Sequence, residues 1–222
     1  LMSLELKKRI ITSIFLFLLL ILMSLYTYVL ILSLIIIGII AWIEFYALIS
    51  KIYRNILLRF IFKAISLLYL SFVILIIIVS KLNFPNLHML ILYTILISIM
   101  TDIGGLTIGK IFKGKKLTKI SPKKTVSGSV GSFIFSLLLI PFFFKFFNLN
   151  VGITLLDIIL ITLFISLISQ LGDLFISVIK RNANVKNTSD LLPGHGGVLD
   201  RIDGIIFSIP SGFLSFNYIY LI

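Results

Sequence analysis

Cysteine is absent from the chain, and acidic residues number eight against twenty lysines and arginines. The first absence excludes a disulfide framework and thiol chemistry. Charge of either sign is scarce, at 13% of 222 residues, where a soluble domain carries about a quarter. With 59% hydrophobic residues, that scarcity marks an integral membrane protein. The alternating pattern of barrel strands is missing, and the apolar runs are continuous and rich in Leu and Ile, so helical spans are expected. No small-residue cleavage site follows a short apolar core, so no cleavable signal is expected. There is no P-loop and no kinase signature, which leaves scattered Lys, Arg and metal to hold any phosphate. Matched broken helices and an inverted repeat, the marks of a transporter, are missing as well. The formal net charge of +12 points, in so apolar a chain, to loops facing anionic lipid or anionic substrates, and not to nucleic acid.

What is present is a series of apolar runs divided by basic loops. The uncharged stretch from Ile10 to Ile43 would make a helix of about 50 Å, too long for one crossing of ~30 Å. A tight hairpin near Ser24–Tyr28 resolves this into two spans, with Glu44 at the inner end of the second. Runs over Ala64–Ser80, Leu87–Thr107, Val126–Phe144, Val151–Ile176 and Gly204–Ile222 follow, the first two divided by Asn83, Pro85 and Asn86. The expected fold is all-α and polytopic, with about seven spans (six to nine), the first and last marginal in length. Eighteen of the twenty basic residues lie at the N-terminus and in 51–63, 110–124 and 180–201, leaving Lys81 and Lys145 opposite. That asymmetry places those loops in the cytoplasm of an inner-membrane protein. One domain is read over 1–222, with N-terminal helices over 1–63 and catalytic helices over 64–222.

The chemistry concentrates in SVIKRNANVKNTSDLLPGHGGVLDRID, residues 177–203, which gathers three Asp, four Lys or Arg, a His, a Pro and three Gly between two apolar runs. Charge held in a membrane protein is costly and seldom idle. Six of the eight acids, Glu44, Asp102, Asp173, Asp190, Asp200 and Asp203, fall at or near the cytoplasmic side, which suggests one inner-leaflet site. Gln170, Asp173, Ser177 and Lys180 are spaced to share a helix face, with Arg181 beside them. Asp173 is then either a carboxylate neutralised by Lys180 or Gln170, tying helices together, or a metal ligand, the sharper reading. Pro193, Gly194, Gly196 and Gly197 make a turn whose backbone can approach a ligand closely. Asp200 and Asp203 are expected on one face at the start of the last helix, where they pair for a divalent cation; the plainer alternative is a helix cap. His195 reads as a phosphate or leaving-group contact, or as loop packing. Asp102-Ile-Gly-Gly is expected near the inner end of span four. Ser121-Pro-Lys-Lys-Thr125 opens span five, where backbone N–H groups with Lys123 and Lys124 suit a phosphate. Lys110–Lys119 reads as a topogenic loop. Together these suggest phosphoryl or nucleotidyl transfer onto a phospholipid-like substrate.

Ser177-x-x-Lys180-Arg181, then Lys186, then Leu192-Pro193-Gly194-His195-Gly196-Gly197-x-x-Asp200-Arg201-Ile202-Asp203 resembles the signature of the CDP-diacylglycerol synthases, the phosphatidate cytidylyltransferases. Asp102, Ser121–Thr125 with Gly128, and Gly172-Asp173 resemble that family too. The pattern departs at Asn187, Ser127 and Ile176, where the family carries acids. The resemblance implies transfer of CMP from CTP to phosphatidate with magnesium, and leaves open a second, monovalent cation and a homodimer. It implies Asp173 and Asp200 as metal ligands supported by Asp203 and Asp102. Lys123, Lys124, Lys180, Arg181 and Arg201 would clamp phosphates, with Lys186, Gly196 and Gly197 also against substrate and Ser121, Thr125, Ser177 and His195 as hydrogen-bond partners. The alternatives are a CTP-dependent polyprenol kinase and, given the three departures, an inactive lipid-binding membrane protein.

Overall fold

The computed structural model describes residues 4–118, 121–122, 124–146, 154–194 and 196–221. Among them the chain is helical: α1 (Leu4–Leu25), α2 (Thr27–Ile52), α3 (Ile56–Asn83), α4 (Pro85–Phe112), α5 (Val126–Leu137), α6 (Ile140–Phe146), α7 (Leu155–Asn182), α8 (Leu199–Ile202) and α9 (Ile205–Leu221). Five segments are long and apolar enough to cross a membrane: Thr27–Ile52, Ile56–Asn83, Asn86–Phe112, Val126–Lys145 and Leu155–Asn182. The two ends expected to be marginal are α1, apolar over Ile14–Leu25, and the 17-residue α9. The protein is therefore polytopic and all-α.

The helix breaks follow local chemistry. The first apolar stretch divides at Tyr26, which is extended (φ −115°, ψ 115°), inside the expected hairpin. Pro85 opens α4, where its missing N–H costs nothing. The run Val126–Phe144 falls within one segment long enough to cross, Val126–Lys145, but with a break inside it: α5 stops at Leu137 and α6 starts at Ile140. Pro141 explains this, since its ring opposes the carbonyl four residues earlier, that of Leu137. The run Leu87–Thr107 lies within α4, whose helix continues past it. The helix reaches Phe112 and stops where Lys113 (φ 52°) and Gly114 (φ 108°) turn left-handed. Asp102 therefore sits well inside α4, and Gly104 and Gly105 are interior glycines.

By contacts the chain divides into two compact units, Leu1–Ile78 with Val178–Ile202, and Val79–Ser177 with Asp203–Ile222. In the first, α1 packs on α2, and α2 packs on α8. Asn55 accepts the N–H of Leu57 at the start of α3 (2.8 Å), and the indole of Trp42 donates to the Lys63 carbonyl (3.1 Å). The Lys63 ammonium lies over the Trp42 and Tyr46 rings.

In the second unit, α4 and α5 meet at backbone contact. A Cβ on Gly128 would come within 2.8 Å of the Gly105 carbonyl, and one on Gly104 would strike the Gly131 carbonyl. Small residues allow this approach, which supplies dispersion where no water-driven burial exists. Buried hydroxyls join α4 to α7: Tyr93 to Thr162 (2.9 Å), Ser98 to Ser169 (2.6 Å) and Thr101 to Ser166 (2.8 Å). Each such bond contributes about 0.6 kcal/mol on average in a membrane. The aromatic core is Tyr93, Phe143 and Phe216, with Tyr93 and Phe143 centroids 4.8 Å apart.

Candidate active site

In the first unit the signature segment begins where α7 ends. Asn184 takes the left-handed conformation (φ 55°). The N–H of Asn184 donates to the Arg181 carbonyl (3.0 Å) and that of Val185 to the Lys180 carbonyl (2.9 Å). This is a Schellman ending with Asn in the usual glycine place. The Arg181 guanidinium reaches forward to the Val185 carbonyl (3.0 Å). A tight turn follows, in which Leu192 and Gly196 exchange both backbone hydrogen bonds (2.8 and 3.1 Å). Gly194 (φ 76°) and Gly196 (φ 86°) supply its left-handed positions. The Thr12 hydroxyl donates to the Pro193 carbonyl (3.1 Å).

Asp200 is the anchor of this loop. The Lys180 ammonium meets its Oδ1 at 2.7 Å, with the two side chains 10% and 6% exposed. Its Oδ2 accepts the N–H of Thr188 (2.9 Å), the N–H of Gly197 (3.0 Å) and the Thr188 hydroxyl (3.1 Å). Burial by itself would push this carboxyl up. The Lys180 hydrogen bond, the two N–H groups and the Lys180 charge outweigh it and hold Asp200 below the usual carboxylate range.

A second carboxyl completes the loop, one that sequence reasoning placed in the acidic cluster without a role. Glu44 of α2 is 3% exposed. Its Oε1 accepts the Ser189 hydroxyl (2.5 Å) and the Val198 N–H (3.0 Å). Its Oε2 accepts the Thr188 hydroxyl (2.8 Å) and the Leu199 N–H (2.8 Å). The available signal was a lone acid at the end of a long apolar run. Thr188 and Ser189 carried no signal at all.

In the second unit, Lys124 forms an ion pair with Asp173, the side chains 26% and 28% exposed. Lys124 is held by a small hairpin in which Leu117 N–H donates to the Lys124 carbonyl (2.8 Å), Val126 N–H to that of Lys115 (3.0 Å) and Lys124 N–H to that of Ser121 (3.0 Å). The Thr125 side chain caps α5, accepting the Gly128 N–H at 3.0 Å. The Ser127 hydroxyl donates to the Lys113 carbonyl, closing the hairpin. Gly172 lets α7 pass close to the Asp203 backbone and the Phe207 ring, which a Cβ would meet at 2.9 and 2.6 Å. Ser177 lies 3.5 Å from Asp173, at the outer limit of a hydrogen bond. Gln170 accepts the Ser129 hydroxyl (2.5 Å). Of the neutralising partners considered for Asp173, Gln170 bonds Ser129 instead, and within this unit it is Lys124 that pairs with Asp173.

The other expected residues are placed as follows. Asp102 is exposed on α4, whereas Asp203 is buried and accepts the Gly204 N–H (3.0 Å). Asp200 lies in α8, which ends at Ile202, and Asp203 follows it before α9 opens at Ile205. Arg181, Lys186 and Arg201 are exposed. Lys123 and His195 lie outside the described residues. Within neither unit do three His, Asp or Glu side chains gather to hold a metal ion, among the described residues.

A polytopic helical membrane protein whose signature loop is folded round two buried carboxyls is the class these features define. The sequence matches the cytidylyltransferase family over residues 5–219, so the chain belongs to that family. It is 42% identical over 123 residues to the phosphatidate cytidylyltransferase of Staphylococcus haemolyticus, covering 54% of this chain and 46% of that protein. It is 44% identical over 124 residues to that of Staphylococcus aureus, with the same coverage. The Bacillus subtilis protein of that name is 41% identical over 121 residues, 54% of this chain and 44% of the relative. The matches thus span under half the length of these relatives.

Proposed function

We propose that the chain transfers CMP from CTP to phosphatidate, giving CDP-diacylglycerol and pyrophosphate. The observation that carries this reading is the match to the cytidylyltransferase family over residues 5–219, and the buried Lys180–Asp200 pair, which holds together the segment that resembles the family signature, supports it. A phosphatidate oxygen attacks the α-phosphorus of CTP, the new P–O bond forming as the bond to the β-phosphate oxygen breaks and pyrophosphate leaves. The attacking phosphate is already ionised near neutral pH, so no general base is required. Both reactants are anionic, and the protein's task is neutralisation and alignment. Lys124, partly exposed and held through backbone hydrogen bonds to Leu117 and Ser121, binds phosphate; Arg181 and Arg201 are exposed beside the loop. Lys180, buried against Asp200, orients that loop.

Asp173 suits a magnesium ion that arrives with the nucleotide. Its carboxylate is over a quarter exposed and meets a partly exposed ammonium, and Mg2+ commonly takes one or two carboxylates plus substrate phosphates and not an all-protein cage. When bound, the ion supplies charge neutralisation to the phosphate oxygens. Asp200, with Oδ2 shared by three donors, is assigned to holding the loop. The basic bias of the loops supports a reaction at the cytoplasmic leaflet.

The test is purified protein in phosphatidate-containing liposomes with Mg2+ and CTP labelled at either the α- or the γ-phosphorus. The expected result is α-label in the lipid product and γ-label in pyrophosphate. Label from the γ-position in lipid would instead establish a lipid-alcohol kinase when polyprenol is supplied, and no label in either lipid would establish a non-catalytic protein.

A further inference from the structure

We propose that Glu44 is a positioning residue for the transfer reaction, the internal template on which the 188–199 loop is built. A carboxyl group offers about four acceptor sites, two on each oxygen. All four are taken here: Oε1 by Ser189 and Val198, Oε2 by Thr188 and Leu199. Two of the donors are backbone N–H groups at the opening of α8, which a four-residue helix cannot satisfy internally. The other two are hydroxyls on the far arm of the loop. Glu44 therefore clamps both arms to α2, from a position 144 residues away in sequence.

Thr188 carries the clamp on to Asp200. Its single hydroxyl proton lies between Glu44 Oε2 (2.8 Å) and Asp200 Oδ2 (3.1 Å), while its N–H holds Asp200 Oδ2 at 2.9 Å. Asp200 in turn fixes Lys180. Gly197 is the residue that makes room: a Cβ there would strike the Thr188 hydroxyl and lie 2.6 and 2.7 Å from the two Glu44 oxygens. The side chain missing at Gly197 is thus replaced by the Glu44 carboxyl. The chain of contacts is Glu44, Thr188, Asp200, Lys180, and the first member, 3% exposed with both oxygens engaged, acts through the others.

The kinetic part of this inference rests on the proposed CMP transfer; the structural part does not. Glu44→Gln is nearly isosteric but keeps one oxygen, so it satisfies at most two of the four donors and turns an N–H₂ toward the rest. In the detergent-purified full chain, amide hydrogen exchange of Thr188, Gly197, Val198 and Leu199 is expected to quicken by about tenfold or more, with the hairpin at 113–125 unchanged. In liposomes kcat is expected to fall about tenfold or more, with KM for CTP moving less than about threefold. A purely structural residue would instead lower the folded fraction and leave kcat per folded molecule and exchange in this loop alone.

Unchanged exchange in 188–199, or a kcat within about twofold of the parent, overturns the proposal. Should Glu44→Gln fail to fold, Ser189→Ala removes one donor and leaves the carboxyl. Faster exchange at Val198 then supports the proposal, and unchanged exchange overturns it. If the parent protein itself transfers no CMP, the function above fails while the exchange measurements still decide the role of Glu44.

Discussion

The ammonium of Lys180 lies 2.7 Å from Oδ1 of Asp200, in a pair withdrawn almost wholly from solvent although twenty residues separate them. Removing one partner of such a pair leaves the other charge stranded, at a cost of about 3–5 kcal/mol. Lys180→Met and Asp200→Asn are therefore expected to lower the thermal midpoint in detergent clearly and to abolish CMP transfer, with membrane insertion retained. A midpoint and rate near the parent's in either variant would remove the pair from the site.

The same pair predicts a pH dependence. The native carboxyl of Asp200 titrates below its ordinary value, so its contribution is complete above about pH 4 and disappears as the pH falls through the depressed native value. Asp200→Asn should flatten the acid side of a stability-versus-pH curve while lowering its plateau. Parallel curves for the two proteins would contradict this.

Lys124 and Asp173 call for the opposite pattern. The pair is partly exposed and screened, so Lys124→Ala is expected to change stability by no more than ~1 kcal/mol. Transfer should nonetheless fall about a hundredfold if Lys124 is the phosphate-binding cation proposed above. Steady-state kinetics beside a melting curve separates the two effects.

Gly197→Ala places a methyl against Thr188 and the Glu44 carboxyl, and overpacking of this kind costs about 1–3 kcal/mol. Asn184 tests backbone conformation alone: Asn184→Gly should be tolerated, and Asn184→Val should cost about 1–2 kcal/mol. Comparison of the three midpoints checks both points.

The features visible in the sequence were those encoded locally. The break at Tyr26 followed from a stretch too long for one crossing, and the turn before α4 from Asn83 and Pro85. Pro141 was equally local: the apolar residues around it read as one span, and the break between Leu137 and Ile140 falls inside it. Spacing identified Asp173, Lys124, Lys180 and Asp200 as polar residues of interest but not their partners. Helical periodicity suggested one long final helix from Asp200 onward, whereas α8 is only four residues long and α9 opens separately at Ile205. Glu44 illustrates the general limit. Its four partners are fixed by the path of the chain between residues 44 and 188, and nothing in its neighbours records that path.

The hydroxyl contacts between α4 and α7 constrain how the second unit can move. Lipid tails offer no substitute for Tyr93–Thr162, Ser98–Ser169 or Thr101–Ser166, so sliding either helix by a turn would strand several donors in hydrocarbon at once. Any relative shift of α4 and α7 within this unit must therefore break these three contacts together, which ties the two helices to one register.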